Sequence, residues 1–126
     1  MAGECVLVVE DNEKNMKLFR DVLTAKGYEA LEATTGAGAV ELAAERMPDL
    51  VLMDIQLPDI DGVEALARLR GDERTASIPV LALTAQAMHG DRERFLAAGF
   101  DGYVSKPVNI AELVGAVRQH CEGRTR

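Results

Sequence analysis

Tryptophan is absent from this chain, and aromatic residues make up only 4% of its 126 positions. Its core must therefore be aliphatic. Cysteine is scarce too. Cys5 and Cys121 have no metal-ligand spacing and read as reduced thiols of a cytosolic protein. Basic residues are outnumbered, 14 Lys and Arg against 21 Asp and Glu, for a net charge of −7. No basic stripe is available to neutralise phosphates, which argues against direct binding to nucleic acid or an anionic membrane. The N-terminus has no basic region leading into a long apolar stretch, so neither a signal peptide nor membrane insertion is expected. Linkers, repeats and low-complexity segments are also lacking. The length fits one domain over 1–126, with its core at about 4–121 and a frayed tail from Cys121 onward. With 48% hydrophobic and 28% charged residues, that domain should be globular.

What is present is a strand–helix alternation repeated five times. Strand one is expected at 4–9. Helix one follows at 13–26, with Asn12 as N-cap and Gly27 as its stop. Strand two, 28–33, carries Glu29 and Glu32 and reads as a solvated edge strand. Helix two, 36–46, is capped by Thr34 or Thr35 and ends before Pro48. Strand three is 50–53, and the loop 56–62 leads into helix three, which runs to about Gly71. Strand four is 80–83. Helix four spans 88–98 and is ended by Gly99. Strand five is 102–105, and helix five is 110–120 with Asn109 as N-cap. Such alternation implies right-handed crossovers and a parallel α/β sheet covered on both faces, a three-layer sandwich.

The chemistry lies at the strand ends. Asp54 closes the apolar run 49–54, which cannot keep a charge inside its body, so the carboxylate must sit at the end where water or a cation reaches it. Glu10 and Asp11 follow strand one, Thr84 follows strand four, and Lys106 and Pro107 follow strand five. Parallel strands would bring these acids, the hydroxyl and the ammonium to one sheet edge, where open α/β sheets bind ligands. Three carboxylates in a small volume repel unless a divalent cation joins them. All the candidate ligands are oxygens, which favours Mg²⁺ over Zn²⁺. Asp11 and Asn12 are also placed to cap helix one, and capping and metal binding can coexist. Alone, Thr84 is a turn former and Lys106 a solvated lysine. Beside three acids and a cation they are suitable donors to a phosphoryl group placed on a carboxylate.

This constellation resembles the response-regulator receiver domain, the CheY-like family. The resemblance covers Cys5 to about Cys121 and rests on Val8-Val9-Glu10-Asp11-Asn12, Leu52-Met53-Asp54-Ile55-Gln56-Leu57-Pro58, Ala82-Leu83-Thr84-Ala85 and Ser105-Lys106-Pro107. Each motif alone is weak, and the ordered set is specific. The resemblance implies a five-stranded flavodoxin-like (βα)₅ sheet of order 2-1-3-4-5. It implies Asp54 as phosphoacceptor, with Glu10, Asp11, Asp54 and the backbone carbonyl of Gln56 holding Mg²⁺ (or Mn²⁺). Thr84, the amide of Ala85 and Lys106 would hold the phosphoryl oxygens, and the Lys106–Pro107 bond would be cis. Position 10 is Glu where many members have Asp, which could make one metal contact water-mediated. In this family the positions of Gln56 and Gln86 flank the path of the attacking water and tune the lifetime of the acyl phosphate, so the resemblance implies that role for the two amides.

Tyr103 is the family's switch aromatic, moving when the Thr84 hydroxyl is drawn to the phosphoryl group; from the residues alone it equally reads as a half-buried edge-strand tyrosine. The implied readout face is helix four, strand five and helix five, with Met88, His89, Arg92, Phe95 and Tyr103 as exposed candidates, although Phe95 also reads as core. In helix one, Met16, Phe19, Val22 and Leu23 share a face while Leu18 points largely away. A single exposed Leu is ordinary, but the resemblance makes Asn15, Leu18 and Pro107 docking candidates. Asp59 and Asp61 read as loop and helix-three capping residues, and neither His89 nor His120 reads as catalytic.

The function implied is a bacterial, cytoplasmic receiver of a two-component phosphorelay. It would take a phosphoryl group from a sensor histidine kinase or a histidine phosphotransfer protein and pass its state to a downstream protein effector. It would catalyse only transfer to its own Asp54 and slow autodephosphorylation. A monomer is expected, with a phosphorylation-dependent dimer through helices four and five as an alternative. The resemblance is strongest to stand-alone cell-cycle receivers of the DivK type, notably at Val9-Glu10-Asp11-Asn12-Glu13 and Asn15-Met16-Lys17-Leu18-Phe19. The stretch from Gly90 to Pro107 also looks like receivers fused to hybrid histidine kinases. A haloacid-dehalogenase-like phosphatase would need a second Asp two residues after the nucleophile, where Gln56 stands. A flavodoxin-like small-ligand binder would need a phosphate-cradling loop after strand one, where the acidic Glu10-Asp11-Asn12 stands instead.

Overall fold

Apolar residues in the strands alternate between two helical layers. The computed structural model describes residues 4–85 and 91–122. In chain order the elements are β1 Cys5–Val9, α1 Glu13–Ala25, β2 Glu29–Ala33, α2 Gly36–Arg46 and β3 Leu50–Asp54, then α3 Gly62–Arg70, β4 Val80–Thr84, α4 Asp91–Ala98, β5 Gly102–Ser105 and α5 Ile110–Glu122. All ladders are parallel, and the sheet order is β2-β1-β3-β4-β5. Leu7, Val9, Val51, Met53, Val80 and Ala82 pack toward α2, α3 and α4. The intervening Val6, Val8, Leu50, Leu52, Leu81 and Leu83 pack toward α1 and α5. This is the period-2 alternation of a sheet covered on both faces, and it agrees with the expected fold class.

The expected edge strand is at an edge, and its acids are partnered there. Glu29 pairs with Arg46 of α2 at 3.0 Å and Glu32 with Arg20 of α1 at 2.9 Å. Three helix starts follow the expected capping chemistry. Asn12 accepts the Asn15 N–H, Thr35 accepts the Gly38 N–H, and Asn109 accepts the Glu112 N–H. Gly27 adopts φ 91° just past α1 and Gly99 φ 114° just past α4, conformations that favour glycine.

Several expectations need correction. β3 and β4 each extend one residue further than expected, so Asp54 and Thr84 are strand residues, paired with Leu83 and Ser105. Cys121 does not begin a frayed tail. It lies in α5 and is 1% exposed, because it continues the stripe of Leu113 and Val117 against the sheet. Of the two readings of Phe95, surface and core, the core one holds: it is 3% exposed and set edge-on to Phe100 at 6.1 Å. Val22 shares the face of Met16, Phe19 and Leu23 as expected, half-buried against the same cluster. The expected start of helix four at 88 and the tail 123–126 lie outside the described residues. No helix among the described residues is long and apolar enough to cross a membrane.

Candidate functional site

β1 delivers Glu10 and Asp11 one and two residues beyond its last residue, and the neighbouring β3 ends on Asp54. Glu10 continues the strand direction, its N–H donating to Ala33 O at 3.0 Å, and its side chain is buried. Asp54 is 5% exposed, whereas Asp11 faces solvent. One carboxylate oxygen from each of Glu10, Asp11 and Asp54 lies within 4.8 Å of the others.

β5 delivers Lys106 to the same place. Its Nζ donates to Glu10 Oε1 at 2.9 Å and to Asp54 Oδ2 at 2.8 Å. The second oxygens of these acids take backbone donors. Glu10 Oε2 accepts the Asn12 N–H at 3.2 Å and Asp54 Oδ1 the Gln56 N–H at 2.9 Å. Burial pushes the Glu10 carboxyl above the usual carboxylate range, opposed by the Lys106 hydrogen bond and reinforced by the Asp54 charge. Burial alone would lower Lys106, but its hydrogen bonds to Asp54 and Glu10 outweigh it and hold the ammonium above its ordinary value. Three carboxyl groups share the single Lys106 ammonium. The donors are all oxygens, so the cluster fits a hard divalent cation such as Mg²⁺.

Beside Asp54 opens a pocket of about 240 Å³ lined by Asp54, Ile55, Gln56, Leu83, Thr84, Ala85 and Lys106. Thr84 is buried, and its carbonyl accepts the Lys106 N–H at 2.8 Å, tying the ends of β4 and β5 together. The Lys106–Pro107 peptide is cis. Thr84 is in phase with Val80 and Ala82, so it belongs to the sheet face covered by α3 and α4. Tyr103 is half-buried on that same face, in register with Ala82 and 6.5 Å from the Phe95 ring.

The structure thus brings together Glu10, Asp11, Asp54, Gln56, Thr84, Ala85 and Lys106. Pro107 is exposed beside them, whereas Asn15 and Leu18 are half-buried on α1, so Leu18 is less open than a residue pointing fully away. Gln86, Met88 and His89 lie outside the described residues, as does the side chain of Arg92. Asp61 caps α3 as expected, accepting the Glu64 N–H at 2.8 Å. Asp59 does not cap helix three. Its two oxygens accept the N–H groups of Gly36 and Ala37 at the start of α2, at 2.8 and 2.9 Å. Those partners lie 23 and 22 residues away in sequence, so no local pattern could have found them.

The model of the response regulator receiver domain matches residues 6–118. The chain belongs to the response-regulator receiver family. It is 47% identical over 115 residues to the polar-differentiation response regulator DivK of Brucella ovis, covering 91% of this chain and 94% of that protein. Among solved structures it is similar to the receiver domain of the sensor histidine kinase PA1611 of Pseudomonas aeruginosa, whose crystal structure has a magnesium ion coordinated in the active-site cleft. There the TM-score is 0.88 and the identity 37%, over 96% of this chain and 99% of that one. The chemotaxis protein CheY4 of Vibrio cholerae superposes with a TM-score of 0.87 at 25% identity, over 94% of this chain and 98% of that one. These relatives establish a two-component receiver with the CheY-like fold, and the acidic cluster at its strand ends is consistent with a bound Mg²⁺.

Proposed function

We propose that this receiver is phosphorylated on Asp54 and reports that state to a protein partner. The observation that carries the reading is the convergence of the Asp54 carboxylate, the Glu10–Asp11 pair and the Lys106 ammonium at one strand edge, with Thr84 lining the adjoining pocket. Glu10, Asp11, Asp54 and the Gln56 carbonyl are the residues that would hold Mg²⁺ or Mn²⁺. Bound there, the cation would supply positive charge to offset that developing on the transferred group.

The chain's own residues supply the rest. An Asp54 carboxylate oxygen attacks phosphorus and forms the new O–P bond. The bond from phosphorus to the donor's imidazole nitrogen breaks, and the leaving imidazole keeps the electron pair. Lys106 exchanges one of its two carboxylate contacts for a phosphoryl oxygen. The Thr84 hydroxyl and the Ala85 N–H, which line the pocket, donate to others and so meet the developing charge. Drawing Thr84 toward the phosphoryl group alters packing on the sheet face that it shares with Tyr103, biasing the face formed by α4, β5 and α5. Gln56 and Gln86 flank the water that later hydrolyses the acyl phosphate. Asn15, Leu18 and Pro107 rim the side on which a histidine kinase or phosphotransfer protein docks. We assign the whole chain to one such receiver unit, acting in the cytoplasm as a monomer in its unphosphorylated form.

Incubation with acetyl phosphate, with and without Mg²⁺, followed by intact mass measurement, tests the reading. A phosphate-mass adduct that requires Mg²⁺ and disappears in Asp54→Ala is expected. An adduct that persists in Asp54→Ala, or that forms equally without a divalent cation, would contradict it.

A further inference from the structure

Between Asp54 and α3 the chain makes a short loop that carries Gln56, and three fastenings hold it. At its near end the Gln56 N–H donates to Asp54 Oδ1. At its far end Gly62 N–H donates to Ile55 O at 2.8 Å, and a Cβ on Gly62 would lie 2.7 Å from Asp54 O. The third fastening comes from another layer of the fold. Asp59 grips the first two N–H groups of α2 with both oxygens, although its own side chain is exposed and the helix already has its cap in Thr35. Beside this grip a Cβ added to Gly36 would lie 2.5 Å from Ile60 Cγ1 and 3.4 Å from Leu57 Cδ1, so loop side chains occupy the space over the helix start. Helix capping alone does not require two loop side chains to pack over Gly36.

We propose that Asp59 is a positioning residue for the cation site: it clamps the loop to α2 so that the Gln56 carbonyl stands ready toward the acidic cluster. The proposal rests on the cation site proposed above. A loop free to move would have to be ordered each time the cation binds, and the affinity would fall by that ordering cost. The clamp removes this cost through a contact that touches neither cation nor phosphoryl group.

Calorimetric titration with MgCl₂ alone, together with thermal melts, separates the possibilities. Asp59→Ala should weaken Mg²⁺ binding by about tenfold, the scale typical of outer-shell supports. Asp59→Asn keeps one accepting oxygen without the charge and should recover part of that loss. Thr35→Ala strips a cap bond from the same helix without touching the loop, and should lower the melting temperature while binding Mg²⁺ as wild type. Should Asp59→Ala fail to fold, Gly36→Ala provides the second handle. Its methyl group should unseat Ile60 and weaken Mg²⁺, and adding Ile60→Ala should restore part of the affinity. Wild-type affinity in Asp59→Ala or in Gly36→Ala would overturn the clamp. So would equal losses in Asp59→Asn and Asp59→Ala, which would assign the effect to charge, or an equal loss in Thr35→Ala, which would assign it to helix stability. A wild-type chain that binds no Mg²⁺ would overturn the cation site itself, and the clamp with it.

Discussion

At the N-terminal edge of the sheet, Asp49 is buried and accepts the Cys5 N–H at 2.8 Å, while Asp101 accepts the Val80 N–H at 2.8 Å and pairs with Arg70 at 2.9 Å. At the C-terminal edge, Glu10, Asp11 and Asp54 crowd within 4.8 Å, with Lys106 bridging two of them. The residue types are the same at both edges, but their surroundings differ. Acids at the first edge are matched to backbone donors and an arginine, and they fasten strands to loops. Acids at the second edge also take backbone donors, but three of them share one ammonium, and their mutual repulsion is what a cation would relieve. The acids at one end serve the fold, and those at the other form a cluster that suits a cation.

Substitutions at each end should therefore differ in size and even in sign. The largest effect is expected from Gly62→Ala, because its Cβ would fall 2.7 Å from Asp54 O and 2.9 Å from Ile55 Cα. Both are backbone atoms, and forcing them apart should cost about 2–3 kcal/mol in denaturant unfolding. Wild-type stability in this variant would mean that the close seating of α3 under Asp54 is not as described. Next, Asp49→Ala leaves the Cys5 N–H without its carboxylate and should destabilise by about 2 kcal/mol. At the opposite end, Asp54→Asn removes one of the clustered charges, and without Mg²⁺ it should stabilise the fold by about 1 kcal/mol. A loss of stability on both substitutions would erase the contrast between the two ends.

The smallest expected effect concerns pH. The N–H groups of Ala37 and Gly36 hold Asp59 at about 2, below its ordinary 3.8. A carboxylate with a depressed folded value contributes fully above its unfolded value, and the contribution is lost as pH falls through the folded one. The melting-temperature gap between wild type and Asp59→Asn should hold steady from neutrality to about pH 5 and close only toward about pH 2. A gap already closed near about pH 4 would mean that the carboxylate is not gripped in solution.

The layered fold and the meeting of Glu10, Asp54, Thr84 and Lys106 at the strand ends were legible in the residues, and the reasons are local. Apolar runs ending in Glu10, Asp54 and Lys106, with helix signals such as Asn12 and Gly27 between them, are short-range patterns. What escaped was tertiary. The charged stretch around Phe95 shows no apolar face to set its phase, so the residues allow both a surface and a core reading, and contact with Phe100 from the turn after α4 decides for core. Cys121 is buried because α5 runs through it to Glu122, further than its last obvious apolar residues implied. Asp59 looked like a loop acid because its partners belong to another helix. Met47 takes φ 47° at the end of α2, a conformation that a non-glycine residue seldom announces.

The measurement that tests the contrast most directly is calorimetric titration of MgCl₂ into wild type, Asp11→Asn and Asp101→Asn. If the C-terminal edge is the cation site, wild type binds one Mg²⁺ per chain, Asp11→Asn loses at least about tenfold in affinity, and Asp101→Asn binds as wild type. Unchanged binding in Asp11→Asn, or a loss in Asp101→Asn to match it, would contradict the account.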